Sequence, residues 1–300
     1  MHADQAATDP DLVRRLLAGQ HPQWADQPIE LVESYGTDHD VYRVGSRLAA
    51  RLPLTDWATR QAATEARWLP RFTPYLPLAL PVQVATGHPA EGYPHSWSVY
   101  EWLPGRSASE PLPAQSAIGP DEQAAVDLAA FVTALRSIDT TGAHARSPHA
   151  RGGPLAEADE QVRRSLSALG DRVDAGAVRR AWDDALAAPP WPGPDVWVHG
   201  DLLPGNLLVA DGRLSAVIDW GGLNVGDPAC DLQAAWNVFT GPARQRFLSE
   251  LAVDDASWRR GRGWVVQQTV SALPYYWDTN PGIVRQATRA LAEVLADSSR

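Results

Sequence analysis

Three hundred residues, 44% of them hydrophobic, can bury a large core in one domain or two lobes. A net charge of −10 argues against a phosphate-backbone partner and suits cationic small molecules instead. One cysteine, Cys230, excludes an internal disulfide and a thiolate metal cluster; with no signal-like start and no run of about twenty apolar residues, the chain reads as cytoplasmic, with no membrane partner.

Asp9 to Leu17 reads as an amphipathic helix with Asp9 as its cap and Pro10 in its first turn. The pattern then changes to short strands at Ile29 to Ser34, Val41 to Val44 and Leu48 to Leu52, the first two joined by a turn, Tyr35 to Asp40, that contains Gly36. Asp56 to Leu69 reads as a helix stopped by Pro70, with an apolar stripe of Ala58, Ala62, Ala66 and Leu69 and with Glu65 at its edge. A carboxylate beside a buried stripe needs a cation. Arg51, on the third strand, is the candidate, and the chain contains no lysine at all.

A proline-rich crossing, Pro74 to Pro81, leads to strands at Val82 to Thr86 and Ser96 to Leu103, closed by Pro104-Gly105. Composition places the division of the chain there, with residues 1–103 as one lobe and 104–300 as the other. Helical spacing follows at Asp121 to Ile138, Pro154 to Leu169 and Ala175 to Ala188, then again at Asp231 to Phe239, Ala243 to Leu251, Asp255 to Tyr276 and Pro281 to Ala296.

Between these helices lies the most informative stretch, VWVHGDLLPGNLLVADGRLSAVIDWGGLNVGDPACD, from Val196 to Asp231. Asp211-Gly212 suits a two-residue hairpin turn, so Ala210 should face Arg213 and Asn206 should face Val217. Asp219 would then share a face with Asn206, about 7–8 Å away on the diagonal. An amide oxygen and a carboxylate oxygen can converge from there on Mg²⁺, whose bonds to oxygen are about 2.1 Å. Asp201 enters the same open end and is free to accept a proton.

HGDLLPGN resembles the catalytic loop of the aminoglycoside phosphotransferases, in which HGD replaces the HRD of protein kinases, and VIDW resembles their magnesium-binding segment. GDPACDLQAAW continues the likeness. The resemblance implies an α+β, bilobal protein-kinase-like fold: a small N-terminal lobe with an antiparallel sheet, and a larger, mostly helical C-terminal lobe. It implies Asp201 as catalytic base, Asn206 and Asp219 as magnesium ligands, His199 as the residue that orders the loop, and Asp227 as scaffold. Arg51 would stand in for the usual phosphate-binding lysine, with Glu65 as its ion-pair partner. The turn around Gly36 would cover the phosphates, and Glu101 and Leu103 would border the base in the hinge. Tyr275, Trp277 and Asp278 could line the acceptor pocket, or serve as aromatic anchors and a turn former at a helix end.

The function implied is transfer of the γ-phosphoryl group of ATP or GTP, with Mg²⁺, to a hydroxyl of a small and possibly cationic acceptor. An antibiotic such as an aminoglycoside or macrolide fits, as resistance by modification, in a monomer without a nucleic-acid partner. A metabolic kinase of the choline, homoserine or sugar type is the alternative, as is a nucleotide-binding pseudokinase without turnover.

Overall fold

The computed structural model describes residues 5–33, 38–110, 121–143 and 150–297. Asp9 caps α1 (Pro10–Gln20) by accepting the Leu12 N–H at 2.6 Å, and Pro10 sits where a missing donor costs nothing. The buried face of α1, Leu12, Val13, Leu16 and Leu17, packs with Ile29, Tyr42, Val44, Ala50, Leu52, Trp97 and Val99 of an antiparallel sheet. That sheet comprises β1 (Ile29–Leu31), β2 (His39–Val44), β3 (Leu48–Pro53), β4 (Gln83–Gly87) and β5 (Trp97–Glu101), ordered β1-β2-β3-β5-β4. β1 is shorter than the spacing predicts, and Ser34 to Thr37, including Gly36, lie outside the described residues.

Between β3 and β4 runs α2 (Thr59–Phe72), and Pro70 does not stop it. Proline removes the donor to the Ala66 carbonyl, but Ala66 is exposed, so water can satisfy that oxygen. The buried side chains Trp68, Leu69 and Phe72 hold the last turn in place, and the Thr73 N–H still reaches the Leu69 carbonyl at 3.0 Å. The buried face of α2 is therefore Gln61, Glu65, Trp68, Leu69 and Phe72, with Glu65 at its centre; of the expected stripe, Ala58 and Leu69 are buried, while Ala62 is only partly so and Ala66 is exposed.

Beyond Pro104-Gly105 come β6 (Arg106–Ser107), α3 (Glu122–Ser137), α4 (Asp159–Leu169) and α5 (Ala175–Leu186). The stretch from Val196 to Asp231 contributes β7 (Val196–Val198), β8 (Leu207–Ala210), β9 (Arg213–Val217) and β10 (Asn224–Gly226), and α6 (Ala234–Asn237), α7 (Gly241–Glu250), α8 (Asp255–Tyr276) and α9 (Pro281–Ala296) complete the fold. β6, β8 and β9 form one small sheet, and β7 with β10 another. The segments before α4 and α6 are short 3₁₀ turns rather than continuations of the helices.

The long α8 is central to this half, and two glycines let it be. A Cβ on Gly261 would come within 2.8 Å of Leu232, and one on Gly263 within 2.6 Å of Ala185 and Leu155. Close packing against the 3₁₀ turn Pro228–Gln233 and against α5 therefore requires bare backbone at both positions.

The hairpin turn is as expected, with Asp211 at φ 48° and Gly212 at φ 79° and with Ala210 opposite Arg213. The register further out is not. A bulge at Ser215 shifts the pairing by one, so Leu207 rather than Asn206 faces Val217, and the Ile218 N–H bonds to the Asn206 carbonyl at 2.9 Å. The bulge has a reason: the Ser215 carbonyl and the Val217 N–H bond instead to Ala79 of the proline-rich crossing, each at 3.0 Å.

Candidate active site

β7 delivers His199 into the core, and the loop after it is fixed by Asp231. The buried Asp231 carboxylate accepts the His199 N–H at 2.9 Å and the Gly200 N–H at 2.8 Å. Gly200 has φ +78°, and a Cβ there would lie 2.7 Å from the Gly222 carbonyl and 2.8 Å from Arg151. Only glycine fits between the loop and the turn that follows Asp219. Because the Ile218 carbonyl accepts from His199 Nε2 at 3.2 Å, Nδ1 is left as an acceptor, and it takes the Asp201 N–H at 3.2 Å. His199 does order the loop, and it shares that task with Asp231, which the sequence reading left without a role. Asp227 is scaffold: its carboxylate accepts the Ala229 N–H at 2.9 Å and pairs with Arg260 at 2.6 Å.

The Asp201 carboxylate is held from two sides. Asn206 Nδ2 donates to its Oδ2 at 3.0 Å and to its backbone carbonyl at 2.8 Å, while Gln268 Nε2 donates to its Oδ1 at 2.6 Å. Arg151 Nη2 lies 3.8 Å from the same Oδ1. Burial pushes the Asp201 carboxyl above its ordinary range, against the pull of Arg151.

Asp219 stands in the left-handed region at φ 61°, ψ 75°, so the alternation of the strand does not set its direction; the turn does. Its Oδ1 accepts from Gln61 on α2 and faces Arg51 Nη2 at 3.4 Å. Arg51 also bonds through Nη1 to both oxygens of Glu65, at 2.8 and 3.0 Å. Glu65, its side chain without solvent exposure, further accepts from the Tyr100 hydroxyl at 2.6 Å and the Trp220 N–H at 3.3 Å. Burial opposes ionisation of Asp219, but Arg51 and the Gln61 bond outweigh it and hold the carboxyl below its usual range. His39 sits beside Arg51, Nδ1 to Nη2 3.4 Å, and burial together with that guanidinium lowers its pKa to about 3. Gln61, Gln268, Tyr100 and His39 carry no motif; only a helical phase for α2 that put residues 61 and 65 on the buried side would have pointed to Gln61.

The donor set fits a hard cation. Asn206 spends both amide N–H groups on Asp201, which leaves its carbonyl oxygen, and Asp219 has its Oδ2 beyond the two contacts made by Oδ1. Two protein oxygens, with the rest supplied by phosphate and water, is how Mg²⁺ is commonly held. At the end of β5, the N–H groups of Glu101 and Trp102 are taken by the Val82 and Arg47 carbonyls, so Leu103 is the first residue past the sheet ladder. Tyr275 is 43% exposed and lies seven residues after Gln268 on α8, on the same face and about 10 Å along the axis. Trp277 and Asp278 meet Arg172, which lies over the Trp277 ring at 5.0 Å and 3.9 Å from the Asp278 carboxylate.

The chain belongs to the phosphotransferase enzyme family, whose model matches residues 33–264. Solved structures agree with the kinase-like fold. The GDP and kanamycin complex of APH(2″)-IIIa has a TM-score of 0.72 at 17% identity, covering 96% of this chain and 99% of that one. The gentamicin complex of APH(2″)-IIa has a TM-score of 0.65 at 16% identity, covering 97% and 99%. Macrolide 2′-phosphotransferase MphH from Brachybacterium faecium, as apoenzyme, has a TM-score of 0.61 at 25% identity, covering 97% and 100%. No curated protein matches. Among the described residues no helix is long and apolar enough to cross a membrane.

Proposed function

We propose that this phosphotransferase is a small-molecule kinase that moves the γ-phosphoryl group of ATP or GTP to a hydroxyl of a macrolide-type antibiotic. The observation that carries the reading is the Asp201 carboxylate, half-buried, doubly anchored and set in the loop beside Asn206 and Asp219. The division between lobes is placed at residues 103 and 104, with the nucleotide base against Glu101 to Leu103 and the triphosphate reaching Arg51. Asn206 and Asp219 would hold Mg²⁺, which when bound neutralises phosphate charge and orients the transferring group.

The remaining work belongs to the chain's own residues. Asp201 accepts a hydrogen bond from the acceptor hydroxyl and aims its oxygen at the γ-phosphorus. As that oxygen–phosphorus bond forms, the bond to the bridging β–γ oxygen breaks, the nucleoside diphosphate leaves, and the hydroxyl proton passes to Asp201. Arg51, fixed by Glu65, offers fixed positive charge to the phosphates without having to reorganise.

The acceptor class follows from α8. From Trp258 to Tyr276 this helix carries no carboxylate, and the face that leads away from Asp201 offers Gln268, Ser271 and Tyr275. Such a wall suits a bulky, largely apolar hydroxyl compound better than a polycation, which needs carboxylates to meet its amines. The 25% identity to a macrolide phosphotransferase supports the same choice. The net charge of −10 favours the aminoglycoside reading. Incubating the enzyme with Mg²⁺, ATP or GTP and either class separates the two: phosphorylated macrolide with unmodified aminoglycoside is expected, and the reverse would overturn the macrolide choice.

A further inference from the structure

We propose that Gln268 is a positioning residue for the catalytic base, held in turn by Asn237. The proposal rests on reading Asp201 as the base. Gln268 Nε2 donates to Asp201 Oδ1 at 2.6 Å, a bond between elements 67 residues apart in sequence. An amide can point either end at a carboxylate, and here Asn237 decides which. Asn237 is buried at the end of α6, and its Nδ2 donates to Gln268 Oε1 at 3.2 Å, so the oxygen of Gln268 is spoken for and its N–H must face Asp201. The Asn237 backbone carbonyl accepts from Arg289 of α9, which ties this end of α6 to the C-terminal helix.

The two carboxylate oxygens of Asp201 thus have different anchors. Oδ2 is tied to Asn206, on the side of the expected metal, and Oδ1 is tied to α8. Rotation of the carboxylate about its last bond would break both contacts, so the plane of the group is fixed before an acceptor arrives. Each carboxylate oxygen has two lone pairs, and Gln268 occupies one on Oδ1. The other is left for the acceptor hydroxyl, with Arg151 Nη2 3.8 Å from the same oxygen and the α8 face of Ser271 and Tyr275 beside it. Gln268 acts through Asp201 and does not touch the nucleotide site formed by Arg51, Glu65 and Asp219. Its removal should therefore slow transfer without weakening nucleotide binding.

The test uses the whole enzyme and three variants, Gln268→Glu, Gln268→Leu and Asn237→Ala, each checked for a cooperative thermal transition. Gln268→Glu keeps the size and removes the donor, so it remains informative if the leucine variant folds poorly. Both Gln268 variants are expected to lose about tenfold to a hundredfold in kcat, the equivalent of one hydrogen bond to a charged group, with the Kd for a non-hydrolysable nucleoside triphosphate unchanged. Asn237→Ala should shift kcat in the same direction by less, and the double variant Asn237→Ala with Gln268→Leu should be no worse than Gln268→Leu alone. Turnover within twofold of wild type in both Gln268 variants, alongside an inactive Asp201→Ala, would overturn the positioning role alone. Wild-type turnover in Asp201→Ala would overturn the reading of the base itself.

Discussion

Arg51 shows why the missing lysine matters to the chemistry. Its planar fork places Nη1 on Glu65 and Nη2 towards Asp219 and His39, so one cation joins α2, the sheet and the turn that carries a proposed metal ligand. An ammonium is a single point and cannot span the same three partners. Arg51→Lys is therefore expected to lower kcat/KM about tenfold or more, as measured by steady-state turnover; full activity would mean that the fork is not used. Asp219→Ala should weaken nucleotide binding in the presence of Mg²⁺ and leave magnesium-free binding nearly unchanged, which calorimetric titration with and without the ion can read. His39 gives a pH signature. Its folded pKa of about 3 lies below the ordinary value of 6.5, so the unfolded chain takes up its proton first as pH falls. Its share of stability is complete above about pH 6.5 and is lost as pH drops from there towards 3. Denaturant midpoints at pH 7 and pH 5 should differ more for wild type than for His39→Gln; equal differences would contradict a neutral His39 in the folded protein.

At the scale of elements, the sequence declared its motifs and hid their supports. The spacing of HGDLLPGN and VIDW placed Asp201, Asn206 and Asp219 in one loop-and-hairpin unit, and the Asp211-Gly212 turn was legible from the dipeptide alone. The hairpin register was not, because the bulge at Ser215 answers to Ala79, a partner more than a hundred residues upstream that no local pattern reveals. Asp219 consequently reaches the site through a left-handed backbone rather than through strand alternation. Pro70 misled in a different way: a helix stop signal gave way to the burial of Trp68, Leu69 and Phe72. Asp231 makes the loop testable as a unit. Asp231→Ala leaves two buried amide N–H groups without an acceptor, each worth about 1–3 kcal/mol. A lowered denaturant midpoint and an accompanying loss of turnover are expected, and a midpoint equal to wild type would show that other contacts hold the loop.

For the molecule as a whole, the class of fold came from the motif resemblance, while hydrophobic periodicity placed individual helices: α8 and α9 begin and end at the residues their spacing suggested. Long-range polar contacts were beyond its reach. Gln61 to Asp219 and Gln268 to Asp201 join parts of the chain 158 and 67 residues apart, and a lone glutamine on a helix has no sequence signature. Net charge and the one helix face beside the base point to different acceptors, because acids spread over the surface and the side chains of α8 report on different parts of the molecule. The most direct measurement of the central claim is the mass of candidate acceptors after incubation with the enzyme, Mg²⁺ and ATP or GTP. A macrolide should gain one phosphoryl group with the wild-type enzyme, and Asp201→Ala should slow that gain by about 10²–10⁴. An equal rate in the two enzymes, or no phosphorylated product from any hydroxyl acceptor while nucleotide still binds, would contradict the account.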